Sequence, residues 1–304
     1  MLTARLAPML AYAARPFDSP RHLFEIKWDG TRCLLFAQGR GLRLQNRRLE
    51  DITARYPELK DLAAGLRARN AILDGELVVL HQGRPDFGRL QQREQSAGPL
   101  KVELLARQLP ATYIVFDLLF LNGEPRVAAP LQERKELLRT VLAESPLLVE
   151  SGYILEKGRA FFQEVVDRGL EGVMAKALAS PYLIGRRSRF WLKIKPRGRE
   201  VCYVVGYTPG KRARAGTFGA LAVAAVREGV WVYRGLVGSG FSDADLEALK
   251  PRLEELRVDA PPPALKGGVP GITWVRPELR CEVTFQEPTP RGRFRAPAFK
   301  RLLP

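Results

Sequence analysis

The chain has 304 residues, 46% hydrophobic and 27% charged, a globular balance that suits one large or two ordinary domains. Its net charge of +16 calls for a polyanionic partner, nucleic acid before acidic membrane. Three lone thiols, Cys33, Cys202 and Cys281, and two histidines, His22 and His81, speak against a zinc centre, a His-based metal site or a disulfide framework. No apolar run reaches membrane-spanning length and no signal-peptide pattern opens the chain, so a soluble cytoplasmic setting with no membrane contact is expected.

Residues Ala4 to Pro20 read as irregular. Leu23 to Ile26 is a short strand leading to Lys27, and Asp29-Gly30 turns the chain into the apolar strand Cys33 to Ala37. Leu42 to Gln45 alternates as a half-buried strand does. A helix is expected from Tyr56-Pro57, with Leu62 and Leu66 at helical spacing. Ala71 to Leu73 and Leu77 to Leu80 read as strands interrupted by Asp74-Gly75-Glu76. Then come a helix over Phe87 to Gln95, a strongly apolar strand over Tyr113 to Phe120, and an amphipathic helix over Leu131 to Leu142. A helix over Phe161 to Gly169 precedes two strands, Leu170 to Lys176 and Phe190 to Lys195.

The basic Pro/Gly segment Lys195 to Arg199 is the expected boundary between domains 1–196 and 197–304. Beyond it, Val201 to Gly206, Ala220 to Val226, Val230 to Val237, Ile272 to Val275 and Cys281 to Phe285 read as short strands. One helix, Asp243 to Leu256 behind Ser242 as N-cap, lies among them. Several short strands with one helix is the pattern of a small, partly open barrel such as the OB-fold.

Charged residues recur inside strands of the first domain that should be core: Lys27, Glu76, Glu171, Lys193 and Lys195, each bounded by apolar neighbours. A buried charge is tolerated when paired or metal-bound, so the five are expected to share one cleft. A lysine is a nucleophile only as the free amine, against a reference pKa of about 10.4, and needs nearby cations or desolvation to become one. The same lysines would neutralise a phosphate, and the two glutamates would hold a divalent metal beside it.

This set resembles the covalent nucleotidyltransferases, the ATP-dependent DNA ligases and mRNA capping enzymes. Lys27-Trp28-Asp29-Gly30-Thr31-Arg32 matches the nucleophile motif K-x-D-G-x-R, and Asn46 to Thr53 is similar to the ligase motif that follows it. Asp74-Gly75-Glu76, Val115-Phe116-Asp117, Glu171 to Lys176 and Trp191 to Lys195 match further motifs in the family's order. The tail pattern around Arg295-Ala296-Pro297 is most like the ligase module of bacterial end-joining ligase D proteins. The resemblance implies an α+β fold: a nucleotidyltransferase (adenylation) domain of antiparallel sheets with flanking helices, then an OB-fold domain.

It also implies roles. Lys27 would be adenylated by ATP, with the Glu25 backbone at the adenine edge and Phe116 stacked on the base. Arg32 and Arg47 would bind ribose or phosphate. Glu76 would bind ribose or metal, and Glu171 metal, as Mg²⁺ or Mn²⁺. Lys176, Lys193 and Lys195 would neutralise phosphates, and Arg295 would orient the leaving pyrophosphate. Arg186, Arg187, Arg189, Lys211, Arg212 and Arg214 would track the backbone of nicked or broken duplex DNA. A monomer working with an end-binding repair protein is expected. The alternatives are an RNA-end ligase, a GTP-dependent capping guanylyltransferase, and a non-catalytic DNA-end-binding scaffold.

Overall fold

Three apolar stretches near the start become strands, β1 (Leu10–Ala13), β2 (Ser19–Ile26) and β3 (Thr31–Gln38), and β4 (Gly41–Asn46) hairpins back on β3. Short 3-10 turns carry the chain to β5 (Asn70–His81) and β6 (Arg84–Pro85). Helices α1 (Phe87–Glu94) and α2 (Pro99–Gln108) follow, and the Asp86 carboxylate caps α1 by accepting from the Arg89 amide at 3.0 Å. Next are β7 (Ala111–Leu121), β8 (Glu124–Pro125), α3 (Leu131–Val141), β9 (Leu148–Glu150), β10 (Tyr153–Glu156), α4 (Gly158–Asp167), β11 (Val173–Ala177) and β12 (Arg187–Ile194).

These strands form two largely antiparallel sheets. One has the order β1-β12-β11-β2-β10; the other runs β4-β3-β5-β7-β8, with β6 on β5 and β9 on β7. Leu34, Phe36, Ile72 and Phe116 of the second sheet pack against Met9, Tyr182 and Trp191 on the first sheet's side. The outer face of the second sheet is covered by the 3-10 turns and by α1 and α3, through Leu59, Leu62, Leu90 and Leu138. The outer face of the first is covered by α4, through Val165, Phe161 and Phe162. β7 is buried almost throughout because both its faces are covered, which is why it reads as one continuous apolar run.

The computed structural model describes residues 4–143, 145–211, 214–260, 271–286, 288–289 and 292–304 and divides the chain into units 1–195 and 196–304. The second unit contains β13 (Gly198–Pro209), β14 (Phe218–Arg227), β15 (Val230–Val237), α5 (Asp243–Glu255), β16 (Arg257–Val258), β17 (Thr273–Val275), β18 (Arg280–Phe285) and β19 (Ala298–Leu303). β13 is its hub, pairing with β14, β17 and β18, and the sheet curls round a core that α5 closes with Leu246, Leu249 and Leu253. Ser242 caps α5 as expected, in a reciprocal capping box with Asp245. No helix among the described residues is long and apolar enough to cross a membrane.

Four local expectations are corrected. Residues 4–20 are not all irregular, because β1 pairs in parallel with the distant β12 and β2 already begins at Ser19. The helix expected from Tyr56 is a series of 3-10 turns, broken by non-helical backbone at Tyr56 before Pro57 and at Leu66. Asp74-Gly75-Glu76 does not end its strand, since the ladder of β5 with β3 runs through it unbroken, but it does disturb the strand, because the ladder with β7 shifts register between Asp74 and Gly75. Of the five charges expected inside strands, only Glu76 and Lys193 are strand residues, whereas Lys27, Glu171 and Lys195 stand just outside strand ends.

Candidate active site

Lys27 follows the last residue of β2, and its amide donates to the Gly172 carbonyl at 2.8 Å, tying it to the segment that enters β11. Two glycines make that approach possible. A Cβ on Gly172, whose φ is 145°, would lie 2.2 Å from the Ile194 carbonyl oxygen, and one on Gly30 would lie 2.2 Å from that of Leu77. The glycines of K-x-D-G and E-G therefore let the Lys27 loop nest against neighbouring backbone.

Between the two sheets lies a cavity of about 310 Å³. It collects Lys27, Arg32, Arg47, Glu76, Lys193 and Lys195, and in addition Glu25, Phe116 and Lys176. Glu171 bridges two of its cations: Oε2 is 2.5 Å from Lys27 Nζ and Oε1 is 2.6 Å from Lys195 Nζ. Arg32 is held by a bidentate pair, Nε to Asp74 Oδ1 at 2.6 Å and Nη2 to Oδ2 at 2.5 Å. Tyr182 locks that carboxylate, its hydroxyl donating to Asp74 Oδ2 at 2.7 Å while accepting from the Met9 amide.

Phe116 forms one wall with Trp191 edge-on behind it, and the Arg32 guanidinium lies 4.6 Å from the Phe116 ring centre. Lys176 differs from the other two late lysines. Its ammonium is buried 2.6 Å from Glu25 Oε2 and lies 4.1 Å from the Phe116 ring centre and 4.3 Å from that of Trp191. Lys135 of α3 reaches the other oxygen of the same carboxylate, Glu25 Oε1, at 2.5 Å. Burial pulls the Lys176 ammonium down to about 8; Glu25 opposes the shift and Lys135 adds to it.

Burial also pushes the Glu76 carboxyl up to about 7, against the pull of Arg32 and Lys27 and with Asp74 and Glu171 adding to the rise. A half-buried carboxyl facing the cavity, raised by burial and further by Asp74 and Glu171, would be relieved by a divalent cation, with Glu171 as the other nearby ligand, though no group of three or more His, Cys, Asp or Glu side chains comes together among the described residues. Two consequences carry signs. Divalent-cation binding, followed by calorimetry without nucleotide, should weaken as pH falls through about 7, and Glu76→Gln should flatten that dependence. Because the folded pKa lies above the ordinary 4.5, the fold should lose stability as pH rises from 4.5 through about 7, and Glu76→Gln should remove the loss.

Arg186, Arg187 and Arg189 are exposed, and Arg187 and Arg189 flank the Tyr12 ring at 5.7 and 5.9 Å. In the second unit, Lys211 and Arg214 line a surface pocket, where Arg214 donates to the Gly238 carbonyl at 3.0 Å. Arg212 lies outside the described residues. Arg295 belongs to the second unit, and its carbonyl accepts from the Gln286 amide at 3.0 Å.

Sequence reading missed Asp74 as the clamp on Arg32, Tyr182 behind it, and the α3 pair Arg134 and Lys135. A signal for the last two was present. They fall at i+3 and i+4 from Leu131, on the stripe that continues through Leu138, where a charge must find a buried partner. Arg134 finds Asp117, with Nε 2.7 Å from Oδ1, and Lys135 finds Glu25.

A cavity between two sheets, with a lysine at a strand end that Glu171 bridges to a second lysine and with Glu76 and Lys193 on its lining, has the residue types of a covalent nucleotidyltransferase. The family model described as ATP dependent DNA ligase domain matches residues 1–195, and the one described as ATP dependent DNA ligase C terminal region matches residues 214–304. The chain is 34% identical to the multifunctional non-homologous end joining protein LigD of Mycolicibacterium smegmatis, over 98% of its own length and 38% of that protein's. It is 32% identical to a DNA ligase of Thermococcus onnurineus over 87% of the chain and 47% of the relative. Among solved structures, the ligase domain of Mycobacterium tuberculosis LigD superposes with a TM-score of 0.58 at 32% identity, covering 98% of this chain and 95% of that one. A mycobacterial DNA ligase D complexed with ATP and MES gives 0.57 at 32% identity, with the same coverage of both chains. The chain belongs to the ATP-dependent DNA ligase family. Its fold is that family's adenylation domain followed by an OB-fold domain. It spans 38% of the length of the LigD relative from Mycolicibacterium smegmatis.

Proposed function

We propose that this chain seals nicks or ends in duplex DNA at the expense of ATP. The observation that carries the reading is the placement of Lys27 in one cavity with Glu76, Lys193 and Lys195, its ammonium on Glu171, in a chain of this family. Lys27 Nζ, as the free amine once its ammonium has passed a proton to the Glu171 carboxylate 2.5 Å away, attacks the α-phosphorus of ATP. A phosphoramidate bond forms as the bond to pyrophosphate breaks in line. The AMP then passes to a 5′-phosphate at the break, and the adjoining 3′-hydroxyl displaces it to close the strand. Arg32, fixed by Asp74, and Arg47 bind ribose or phosphate, while Lys193 and Lys195 neutralise phosphate charge. Phe116 and the Glu25 backbone receive the base. Lys176 counters nucleotide charge from its place beside Phe116. Arg295 of the second domain orients pyrophosphate. Glu76 and Glu171 would hold Mg²⁺ or Mn²⁺, which supplies charge neutralisation at the phosphates when bound.

The adenylation domain is assigned to 1–196 and the OB-fold domain to 197–304. The chain acts as a monomer in the bacterial cytoplasm, in DNA repair by end joining, with an end-binding repair protein as partner. The names of the LigD relatives support that role. Comparing nicked DNA with nicked RNA, and labelled ATP with labelled GTP, tests the substrates; sealing of RNA alone or transfer from GTP alone would refute the proposal.

Duplex binding should be steeply salt-dependent, because the exposed Arg186, Arg187 and Arg189 and the Lys211–Arg214 segment are read as backbone contacts. Each phosphate contact contributes about one unit of slope in log affinity against log salt. Affinity should fall about a hundredfold or more from low to physiological salt, and Arg189→Ala should reduce the slope. A slope near zero would contradict a backbone-tracking surface.

A further inference from the structure

Glu25 is a single buried carboxylate with two buried ammonium groups on it: Lys135 Nζ is 2.5 Å from Oε1 and Lys176 Nζ 2.6 Å from Oε2. All three side chains are at most 2% exposed, so the cluster carries an excess positive charge away from water. A cluster serving the fold alone needs one cation per carboxylate, because uncompensated buried charge is costly. The second lysine therefore calls for an explanation.

Lys135 does not line the cavity, so it cannot touch a ligand there. It comes from α3 and also donates, at 3.4 Å, to the Ser151 carbonyl. The Ser151 hydroxyl accepts from Trp28 Nε1 at 3.0 Å, so Lys135 is connected to both neighbours of the nucleophile, Glu25 before Lys27 and Trp28 after it. Lys176 does line the cavity. Both ammonium groups are ion-paired with Glu25 without a well-directed hydrogen bond to it, but Lys135 has the Ser151 carbonyl as a further acceptor, whereas the rings of Phe116 and Trp191 beside Lys176 offer faces rather than acceptor atoms.

We infer that Lys135 is a positioning residue for nucleotide capture: it shares the Glu25 carboxylate with Lys176 and so leaves Lys176 donors available to an acceptor atom of the nucleotide. This rests on the proposed ATP-dependent reading. The charged groups facing Lys176 are Glu25 from β2, Lys135 from α3, and Asp117 from β7, the last already paired with Arg134; Arg32 lies over the shared Phe116 ring. Without Lys135, Glu25 and Lys176 become a one-to-one pair. That pair closes on itself, turns the Lys176 donors from the cavity and keeps its proton to higher pH.

The test is self-adenylation of the full chain by ATP, measured as KM and kcat from neutral to alkaline pH, for the native protein, Lys135→Met and Lys135→Arg. Lys135→Met should raise KM about tenfold, the worth of one hydrogen bond to a charged group, with kcat within about twofold. In the native protein the alkaline rise in KM should set in near 8, where Lys176 loses its proton, and in Lys135→Met it should move to higher pH. Lys135→Arg keeps a second cation and should restore both values toward native. Thermal melting accompanies each variant. Unchanged KM in Lys135→Met, in a native protein that does take AMP, overturns this inference alone. Equal loss of KM and kcat with a lowered melting temperature and an unmoved alkaline limb marks a merely structural lysine and also overturns it. If the native protein takes no AMP, the functional reading fails and this inference with it.

Discussion

Lys27→Ala should abolish the protein–AMP adduct and lower ATP-dependent sealing of nicked duplex by about 10⁴-fold or more, because covalent catalysis has no substitute amine at that point. Lys193 and Lys195 share its cavity, but Lys195 is held on Glu171 from a different segment and Lys193 is a β12 residue. Only Lys27 stands at the end of β2 with its amide on Gly172 and its ammonium on Glu171. The same variant should still close a nick whose 5′ end already carries AMP, within about tenfold of native, since that step needs phosphate neutralisation rather than the lysine nucleophile. The two assays run side by side separate loss of the nucleophile from loss of the fold. If Lys27→Ala retains the adduct, the nucleophile lies elsewhere; if it fails equally with pre-adenylated DNA, a native melting temperature shows that Lys27 serves more than the first step and a lowered one that the fold is lost.

Arg134→Met should be the most destabilising substitution in the first unit that leaves the cavity lining untouched. Arg134 and Asp117 are both fully buried and form a bidentate pair, Nε to Oδ1 at 2.7 Å and Nη2 to Oδ2 at 2.9 Å. The guanidinium also donates to the carbonyls of Ala129 at 2.5 Å and Ser180 at 2.9 Å, so it joins α3, β7 and the segment after β11. Removing it strands a carboxylate in the core, which costs about 3–5 kcal/mol. For a unit of this size the melting temperature should drop by about 6–20 °C. Adding Asp117→Leu removes the stranded charge and should recover much of the loss. A double variant no more stable than Arg134→Met would show that the carbonyl contacts, not the ion pair, dominate.

The Lys27 loop was legible in the sequence because its pattern is local. A strand, a lysine, an Asp-Gly turn and a second strand follow one another, and the fold keeps them in that order. Asp74 misled because local rules see only a charge in a strand. Its partners, Arg32 and Tyr182, come from residues 42 and 108 positions away, and with the charge neutralised the β5 ladder continues. β1 was missed for a similar reason, since its only stabilising ladder is the parallel one to β12. α2 was missed because its Leu100 and Leu104 face solvent, so it shows no clear apolar stripe, and its start is set by Gly98 at φ 91° followed by Pro99. The candidate site was legible as a set of residue types, but not its inner wiring. Nothing local announces that Glu25 holds Lys135 and Lys176, or that Glu171 holds Lys27 and Lys195. Such pairings appear only when strands far apart in the chain are brought into register.

The most direct test of the central claim is intact-mass and peptide-mass analysis of the protein after incubation with ATP and Mg²⁺, before and after addition of nicked duplex DNA. One AMP per chain is expected, on the peptide containing Lys27, discharged when the nicked duplex is added and a sealed strand formed. No adduct, an adduct on Lys193 or Lys195, or an adduct that persists in the presence of nicked DNA would contradict it.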